Sequence, residues 1–371
     1  MVSLIWITLL AFGLSVAFCL GFRGLAREWH LIDIPNARKT HDGHVPLCGG
    51  IAIFLSLSVA GLFTPALAGS ANIIFVLPGL LLILVTGVAD DRFNLPVAPR
   101  LAMQLLAAFL IIGIAGITQI HLGFATGVID TIGSRVLTGP IFLLLALTFV
   151  VGVVNAVNMS DGVDGLAGSA SAAAFFWLAV ISFSIGENRV GVQTLALSAA
   201  CIGFLVFNMR HRWRAKASLF LGDGGSTFLG AALAGLILIL ANVSATAAFP
   251  ILIWVVIVPV IDTLSLIVRR LAARKSPFSP DRQHLHHLLL DNGFSDSQTA
   301  ITIMTLNFVA GATAYAAIRF QIPAWTMLIA LIVPAIAHAL FVLRTNNALR
   351  PIVVDATQPV KTNVTFPEAS L

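Results

Sequence analysis

The chain has 371 residues, of which 58% are hydrophobic and only 10% are charged, and its mean hydropathy is +0.98. Soluble domains carry about 25% charged residues, so this composition excludes a water-soluble globular protein. The formal net charge is +5, and we predict the lipid bilayer, not a nucleic acid, as its surroundings. The three cysteines are isolated and have neither metal-site nor disulfide spacing.

Long apolar runs follow one another along most of the chain. Since a spanning helix needs about 20 mostly apolar residues, the runs predict an all-α, polytopic integral membrane protein with about eleven transmembrane helices. The first run has no basic start and no small-residue cleavage site, so we interpret it as a spanning helix and not as a removed signal peptide. The predicted spans cover roughly residues 3–22, 49–68, 72–89, 100–118, 138–157, 167–185, 191–208, 226–243, 247–268, 298–318 and 324–343.

The basic residues predict how this protein is oriented in the membrane. A single membrane domain is expected over 1–345, followed by a disordered tail over 346–371. Eighteen of the 21 Lys and Arg residues lie on one side of the predicted spans, and the other side holds only Arg135, Arg189 and Arg319. Because cytoplasmic loops are enriched in basic residues, we expect the N-terminus outside and the C-terminus in the cytoplasm, in a plasma membrane.

Most polar chemistry is confined to short segments at the ends of the apolar runs. Ionisable residues beside hydrocarbon are costly and are usually functional. All of these segments fall on the predicted cytoplasmic side, although the orientation was assigned from Lys and Arg alone. We therefore predict a cytoplasmic-face active site that holds a metal ion and phosphates. The segments are 38–41, which includes Lys39, 89–94, 158–165, 222–226 and 276–287.

The acidic residues of these segments are the candidate metal and catalytic groups. Asp90 and Asp91 are adjacent and would repel each other without a compensating cation or donor, unless they only form a solvated helix end. If the segment is helical, Asn158, Asp161 and Asp164, each three residues apart, share one face and suit Mg²⁺ or its pyrophosphate complex. Helix N-capping by Asp164 is the alternative. Asp223 precedes the eighth span and would be a second metal arm or an ordinary cap.

The histidine-rich segment is the most distinctive. Arg282 offers a planar fork for phosphate, and His284, His286 and His287 crowd within four positions. A zinc or copper site is the alternative, but contact with a pyrophosphate or nucleotide fits better because no Cys or HExxH pattern accompanies them.

Three more polar residues lie near these segments. Asn208 ends the seventh predicted span beside a basic interfacial stretch and would face the site. Asp262 lies inside the ninth predicted span, where it would pair with a buried donor or border the site from behind, without a catalytic role. His338 is interpreted as structural.

Together these segments resemble the motifs of the polyprenyl-phosphate N-acetylhexosamine-1-phosphate transferases, over nearly the whole chain from about Asp33 to the eleventh span. The form of the histidine segment is similar to that of bacterial members that move GlcNAc-1-phosphate from UDP-GlcNAc to undecaprenyl phosphate. Ser160 replaces a more usual hydrophobic residue, which keeps another UDP-N-acetylhexosamine open as the donor. The motifs are Asp90-Asp91-Arg92, Asn158-x-x-Asp161-Gly162-x-Asp164-Gly165-Leu166, Gly222-Asp223-x-Gly225-Ser226 and Ser276-Pro277-Phe278-Ser279-Pro280-Asp281-Arg282-Gln283-His284-x-His286-His287.

The resemblance implies an inner-membrane enzyme that joins a sugar-1-phosphate to undecaprenyl phosphate and releases UMP. It implies Mg²⁺ as the cofactor, with Mn²⁺ as a substitute, and it leaves a homodimer open. By similarity, the metal ligands would be Asp223 with Asn158 or Asp164. The catalytic residues would be Asp90, Asp91, Asp161 and Asp164. The substrate-binding residues would be Lys39, Asn208, Arg282, His284, His286 and His287.

Two questions of mechanism and class stay open at this point. A phosphate monoester has a second pKa of about 6, so the lipid acceptor is largely a dianion, and Asp90, the family's proposed base, would have little proton to remove. Asp90 would then position the metal or act only on the monoanion, and a covalent aspartyl-phosphate route is the other alternative. A cation-coupled transporter is disfavoured, because its ionisable residues would lie near the bilayer midplane.

Overall fold

The computed structural model describes residues 2–34, 43–63, 71–124, 135–276 and 283–348. Helices dominate this part of the chain, with two short antiparallel strand pairs. The strands are β1 (Ile32–Asp33) with β2 (Val45–Pro46), and β3 (Gln119–His121) with β4 (Val136–Thr138). The helices are α1 (Val2–Glu28), α2 (Gly49–Leu62), α3 (Leu77–Phe93), α4 (Val97–Ile114), α5 (Gly139–Ser160), α6 (Leu166–Ser184), α7 (Asn188–Asn208), α8 (Gly222–Val243), α9 (Phe249–Leu252), α10 (Ile257–Ala272), α11 (Leu285–Asp291), α12 (Asp296–Arg319), α13 (Ala324–Ala330) and α14 (Ile332–Ala348).

The helices confirm the all-α, polytopic membrane class. Ten helical segments of the described chain are long and apolar enough to cross a bilayer, and each coincides with a predicted span. Two of them, Phe249–Ala272 and Ala324–Thr345, are interrupted helices built from α9 with α10 and from α13 with α14. A 3-10 turn at Ile253–Val256 breaks the first of these. The number of spans and their orientation stay predictions.

The second predicted span is shorter than expected. It was predicted over 49–68, whereas α2 ends at Leu62 after 14 residues, and 64–70 lie outside the described residues. Pro65 explains an early end, because a proline disfavours helical backbone at the residue before it and supplies no backbone donor.

Helix α8 lies at the centre of the bundle. Of its most apolar 18-residue window, 89% is buried, against 11% in the window of Ala324–Thr345. It packs against α3 and α5 along their lengths and against α2. Large apolar side chains of α14, such as Val333, Ile336 and Leu343, are instead exposed, as expected of a helix that lies next to lipid.

Small residues let α2 and α3 approach the start of α8 closely. A Cβ added at Gly50 would overlap the Cα of Gly225, and one added at Gly87 would lie 2.5 Å from the Cα of Gly224. Such contacts between glycine backbones are typical of tightly packed membrane helices. They hold the C-terminal turn of α3 against the N-terminal turn of α8, where the polar segments of the sequence converge.

Candidate active site

The last turn of α3 is bonded directly to the first turn of α8. The Asp91 carboxylate accepts hydrogen bonds from the backbone N–H groups of Asp223, at 2.8 Å, and Gly224, at 3.1 Å. The first N–H groups of a helix have no partner within it, and a negative charge there is favourable. Gly222 has φ +76°, and a Cβ on it would lie 2.6 Å from Asp91 Oδ2. Asp91 therefore fixes the backbone of Asp223 at the start of α8, and we call it the clamp of this helix.

Asp90 is buried on the other side of the same turn. Its Oδ1 accepts a hydrogen bond from Leu95 N at 2.8 Å, and its Oδ2 is paired with Nη1 of Arg100. Arg100 stands at the start of α4. Sequence reasoning counted it only as a basic loop residue, because nothing in the sequence shows that it faces Asp90. The two adjacent aspartates thus have separate partners, a helix N-terminus and an arginine, which offset part of their repulsion.

Asn158 joins α5 to the same centre. Its Nδ2 donates to Asp223 Oδ1 at 2.8 Å and lies 2.9 Å from Ser226 Oγ. Asp223 and Asn158 share a polar cavity with the Asp90–Arg100 pair. Its other lining residues are Ile83, Thr86, Gly87, Gln104, Asn155 and Thr227. The predicted metal arm and the predicted base therefore open into one cavity.

Asp161 lies in the loop after α5, facing other carboxylates. The pKa of Asp161 is raised from an ordinary value of 3.8 to about 7. Burial contributes most to this increase, followed by the negative charges of Asp223 and Asp164. A site that holds several carboxylates together in this way favours a bound cation.

Asp164 is held differently from its predicted role. Its Oδ2 accepts from Arg210 Nε at 2.6 Å and from Ala217 N at 3.2 Å, and Arg210 is also paired with Asp296 at the start of α12. Asp164 does not cap α6, whose N-cap residue is Gly165 without a side-chain cap bond. The carboxylate instead ties the loop after α5 to the segment after α7, and its charge is already compensated.

Asn208 also has both ends of its amide engaged by the scaffold. Its Oδ1 accepts from Gly165 N at 2.7 Å, and its Nδ2 donates to Leu219 O at 3.0 Å. The side chain is buried. It fastens the loop after α5 to the segment before α8, a position in which the sequence predicted a substrate contact.

The histidine segment reaches the Asp161 loop from α11. The rings of His284 and His286 are parallel within 5°, with centroids 5.7 Å apart, and His287 packs on His286 at 4.2 Å. A Cβ added at Gly162 would overlap His286 Nε2. The missing side chain at Gly162 therefore makes room for the imidazole next to Asp161.

The carboxylate behind this cluster belongs to Asp262, which the sequence predicted to pair with a buried donor or to border the site from behind. Asp262 of α10 lies 2.9 Å from His284 Nδ1 through Oδ2 and accepts from Leu285 N at 2.9 Å through Oδ1. Its signal was present, since an acidic residue inside an apolar span is costly, but its partner was not apparent. Lys39 and Arg282, the other predicted phosphate contacts, lie outside the described residues.

The oxygen-bearing side chains at this site fit a magnesium ion that takes its remaining ligands from a bound phosphate. Within the described ranges, no group of three or more His, Cys, Asp and Glu side chains is arranged to hold a metal ion. Mg²⁺, however, is usually bound by one or two carboxylates together with water and substrate phosphates. Asp223 and the half-buried Asp161, near the amide of Asn158, supply that kind of site.

Comparisons with known proteins agree with this geometry. Residues 73–241 match the model of glycosyl transferase family 4. The matched range includes every acidic motif but not the histidine segment. Two relatives are called undecaprenyl-phosphate alpha-N-acetylglucosaminyl 1-phosphate transferase. The one from Yersinia pestis is 30% identical over 316 residues, 85% of this chain and 84% of the relative. The one from Haemophilus influenzae is 30% identical over 322 residues, 83% and 85% of the two chains.

These matches and the site define a membrane-embedded transferase of sugar phosphates. The chain belongs to glycosyl transferase family 4, among the polyprenyl-phosphate N-acetylhexosamine-1-phosphate transferases, which confirms the resemblance in its motifs.

Proposed function

We propose that this protein transfers GlcNAc-1-phosphate from UDP-GlcNAc to undecaprenyl phosphate and releases UMP. The observation that carries the proposal is the convergence of four separate motifs, since Asp91 holds Asp223, Asn158 bonds to Asp223, and His286 packs on Gly162 beside Asp161. The names of the relatives from Yersinia pestis and Haemophilus influenzae support the choice of sugar and lipid.

The reaction requires little proton chemistry from the protein. An oxygen of the lipid phosphate attacks the phosphorus that carries the sugar. The bond from that phosphorus to the bridging oxygen breaks, and UMP leaves with the electron pair. Because the second pKa of a phosphate monoester is about 6, the attacking group is largely a dianion at neutral pH. The protein has mainly to position two anions and balance their charge.

Asp223 and Asn158, with Asp161 nearby, are the residues that would hold Mg²⁺, or Mn²⁺ in its place. The bound ion would neutralise the pyrophosphate and the charge that passes to UMP. Asp91 serves this arrangement indirectly, because its two bonds to the start of α8 fix the backbone of Asp223.

Asp90 is proposed to position groups at the site and not to act as a base. Both of its oxygens are engaged, one by Leu95 N and the other by Arg100. Arg100 lines the polar cavity with Asp223 and Asn158, so it brings a positive charge close to where phosphates would bind. An arginine suits phosphate oxygens because its planar fork donates two parallel hydrogen bonds.

The histidine cluster is proposed to hold the nucleotide-sugar phosphates. His286 stands between His284 and His287 and contacts the Asp161 loop. Imidazole N–H groups donate hydrogen bonds to anionic oxygens. Lys39 and Arg282 are proposed as further phosphate contacts from their motifs alone.

An apolar cavity beside the site suits the lipid acceptor. It is lined mainly by apolar side chains, as ligand pockets usually are. One end meets Ser160, Asp262 and His286, so a chain that occupies it would bring its phosphate towards the histidines. Ser160 therefore lines the apolar cavity, which argues against a direct role in choosing the sugar. The apolar lining includes Val157, Leu166, Ala170, Leu233, Val255, Val256, Pro259 and Ile303.

The product would be a lipid-linked sugar that starts a surface glycan such as O-antigen lipopolysaccharide or another cell-wall polymer. The site would then face the cytoplasm of a cell with this protein in its inner membrane, where UDP-sugars are available.

The proposed donor and cofactor can be tested together. Purified protein is incubated with undecaprenyl phosphate, MgCl₂ and a panel of radiolabelled UDP-N-acetylhexosamines, with and without EDTA. We expect label in the lipid phase from UDP-GlcNAc, lost in EDTA and restored by excess Mg²⁺. A 6-deoxy or diamino sugar used in preference to GlcNAc would contradict the sugar, and full activity in EDTA would contradict the cofactor.

A further inference from the structure

Both carboxylate oxygens of Asp262 are bonded to the histidine segment. Asp262 is 3% exposed and lies in the apolar helix α10, yet it is bonded to two consecutive residues of another element. Oδ2 lies 2.9 Å from His284 Nδ1, and Oδ1 accepts from Leu285 N at 2.9 Å. His338 Nε2 on α14 is 3.7 Å from Oδ1, which is too far for a hydrogen bond.

This pairing determines which nitrogen of His284 carries a proton. An ionised carboxylate only accepts hydrogen bonds, so Nδ1 must be the donor. The other nitrogen, Nε2, is then directed away from Asp262. A carboxylate behind a histidine is a common way of fixing both the tautomer and the ring orientation.

The fixed ring is connected to the site by direct packing. His284 lies parallel to His286, and His286 packs against Gly162, the residue after Asp161. The carboxylate on α10 thus acts on the substrate side of the cluster through two stacked rings. A buried carboxylate is costly, and the donors that compensate this one are His284 and the backbone of Leu285, at the start of the histidine helix α11.

We propose that Asp262 is a positioning residue of the transfer reaction. It holds His284 with Nδ1 as the donor and keeps His286 against the Asp161 loop, in the orientation that receives the nucleotide-sugar pyrophosphate. The inference rests on the proposed function, since it assigns the histidine cluster to the phosphates of the UDP-sugar.

A double-mutant cycle tests this role. The variants are Asp262→Asn, His284→Ala and their combination, with Thr263→Val as the matched control. Thr263 is the next residue of α10, and its buried hydroxyl has no hydrogen-bond partner in the described part of the chain. KM and kcat are measured with UDP-GlcNAc and undecaprenyl phosphate varied in turn, and Tm is measured for each variant.

We expect Asp262→Asn to raise KM for UDP-GlcNAc by roughly tenfold or more, the effect typical of losing an orienting carboxylate. KM for the lipid should stay unchanged. In the His284→Ala background, the same change should have less than a twofold further effect, because Asp262 acts through His284. Thr263→Val should retain wild-type kinetics.

Additive effects in the cycle, or a lower Tm with an unchanged KM for UDP-GlcNAc, would overturn the proposal. If Asp262→Asn does not fold, Asp262→Glu replaces it, since it keeps the charge and displaces it by one methylene. UDP binding by titration calorimetry separates the two proposals. If the wild type binds UDP but does not transfer GlcNAc, the proposed sugar fails, while weaker UDP binding by Asp262→Asn still supports the positioning role and unchanged binding contradicts it.

Discussion

At the scale of single residues, the acidic motifs divide into carboxylates that are held by scaffold partners and carboxylates that are proposed to bind the metal ion. Asp91 is bonded to backbone N–H groups of α8, and Asp164 is paired with Arg210. Asp223 and Asp161 remain as carboxylates that face one another across the site. This division explains why five aspartates can share a small region, since Asp90, Asp91 and Asp164 are compensated by the scaffold.

Substitutions of Asp91 and of the proposed metal ligand Asp223 should have different effects. Asp223→Asn should lower kcat by about 100-fold or more, the scale on which a preorganised electrostatic contact contributes, and leave Tm near that of the wild type. Asp91→Ala should lower activity and also cost about 1–2 kcal/mol of stability, because two N–H groups of α8 lose their acceptor. Kinetics and thermal unfolding of both variants distinguish the roles. Equal Tm values would contradict the clamp.

The contact between Gly162 and His286 gives a second test. In Gly162→Ala the new methyl group overlaps His286 Nε2, so the imidazole must move. We expect a higher KM for UDP-GlcNAc and an unchanged KM for the lipid. Gly152→Ala is the matched control, because a Cβ there meets nothing within 4 Å. Identical KM values for the two variants would show that His286 does not contact the donor.

The raised pKa of Asp161 makes the stability of the metal-free protein, measured in EDTA, depend on pH. Its pKa is raised from 3.8 to about 7 in the folded protein, so between these values the folded state binds a proton that the unfolded state has released. Stability therefore falls as the pH rises from about 4 to 7. Tm of the wild type should decrease over this range more than Tm of Asp161→Asn. Parallel curves for the two proteins would contradict the assignment.

At the scale of helices, close backbone contacts at the start of α8 assemble the site. Gly50 of α2 and Gly61 near its end provide a comparison within one helix. Gly50→Ala would overlap the Cα of Gly225, whereas a Cβ on Gly61 meets nothing within 4 Å. We expect Gly50→Ala to destabilise the fold by roughly 1–3 kcal/mol, as overpacking does, and to reduce activity. Gly61→Ala should do neither, and equal Tm values would contradict the close approach.

The helices and the site were predictable from the sequence to different degrees. Apolar runs of about 20 residues give the spans directly, and the motifs identify Asn158, Asp161, Asp223 and the histidines. The two short strand pairs and α11, of seven residues, were not predicted. Helix α3 is about equally apolar on all sides and shows no periodic face, so the sequence could not reveal that Arg100 meets Asp90. Helix α10 is amphipathic, but the partner of Asp262, His284, precedes a separate short helix. Those pairs depend on how the helices are rotated about their axes.

At the scale of the whole molecule, the polar motifs gather at one end of the bundle, and the predicted orientation puts that end in the cytoplasm. Trp213 is exposed after α7, and Thr118 is exposed at the other end of the bundle. The native cysteines are buried. In sealed right-side-out vesicles, an impermeant maleimide should label Thr118→Cys and should label Trp213→Cys only after permeabilisation. The reverse pattern would invert the topology.

The central claim is that the protein transfers a sugar together with its phosphate. The most direct measurement uses UDP-GlcNAc with ³²P in the β-phosphate and ¹⁴C in the sugar, together with undecaprenyl phosphate and Mg²⁺. We predict that both labels enter the lipid phase in equal molar amounts, with one UMP released for each pair of labels, and that Asp223→Asn slows the entry of both labels to the same extent. Transfer of ¹⁴C without ³²P, accompanied by UDP release, would contradict the account.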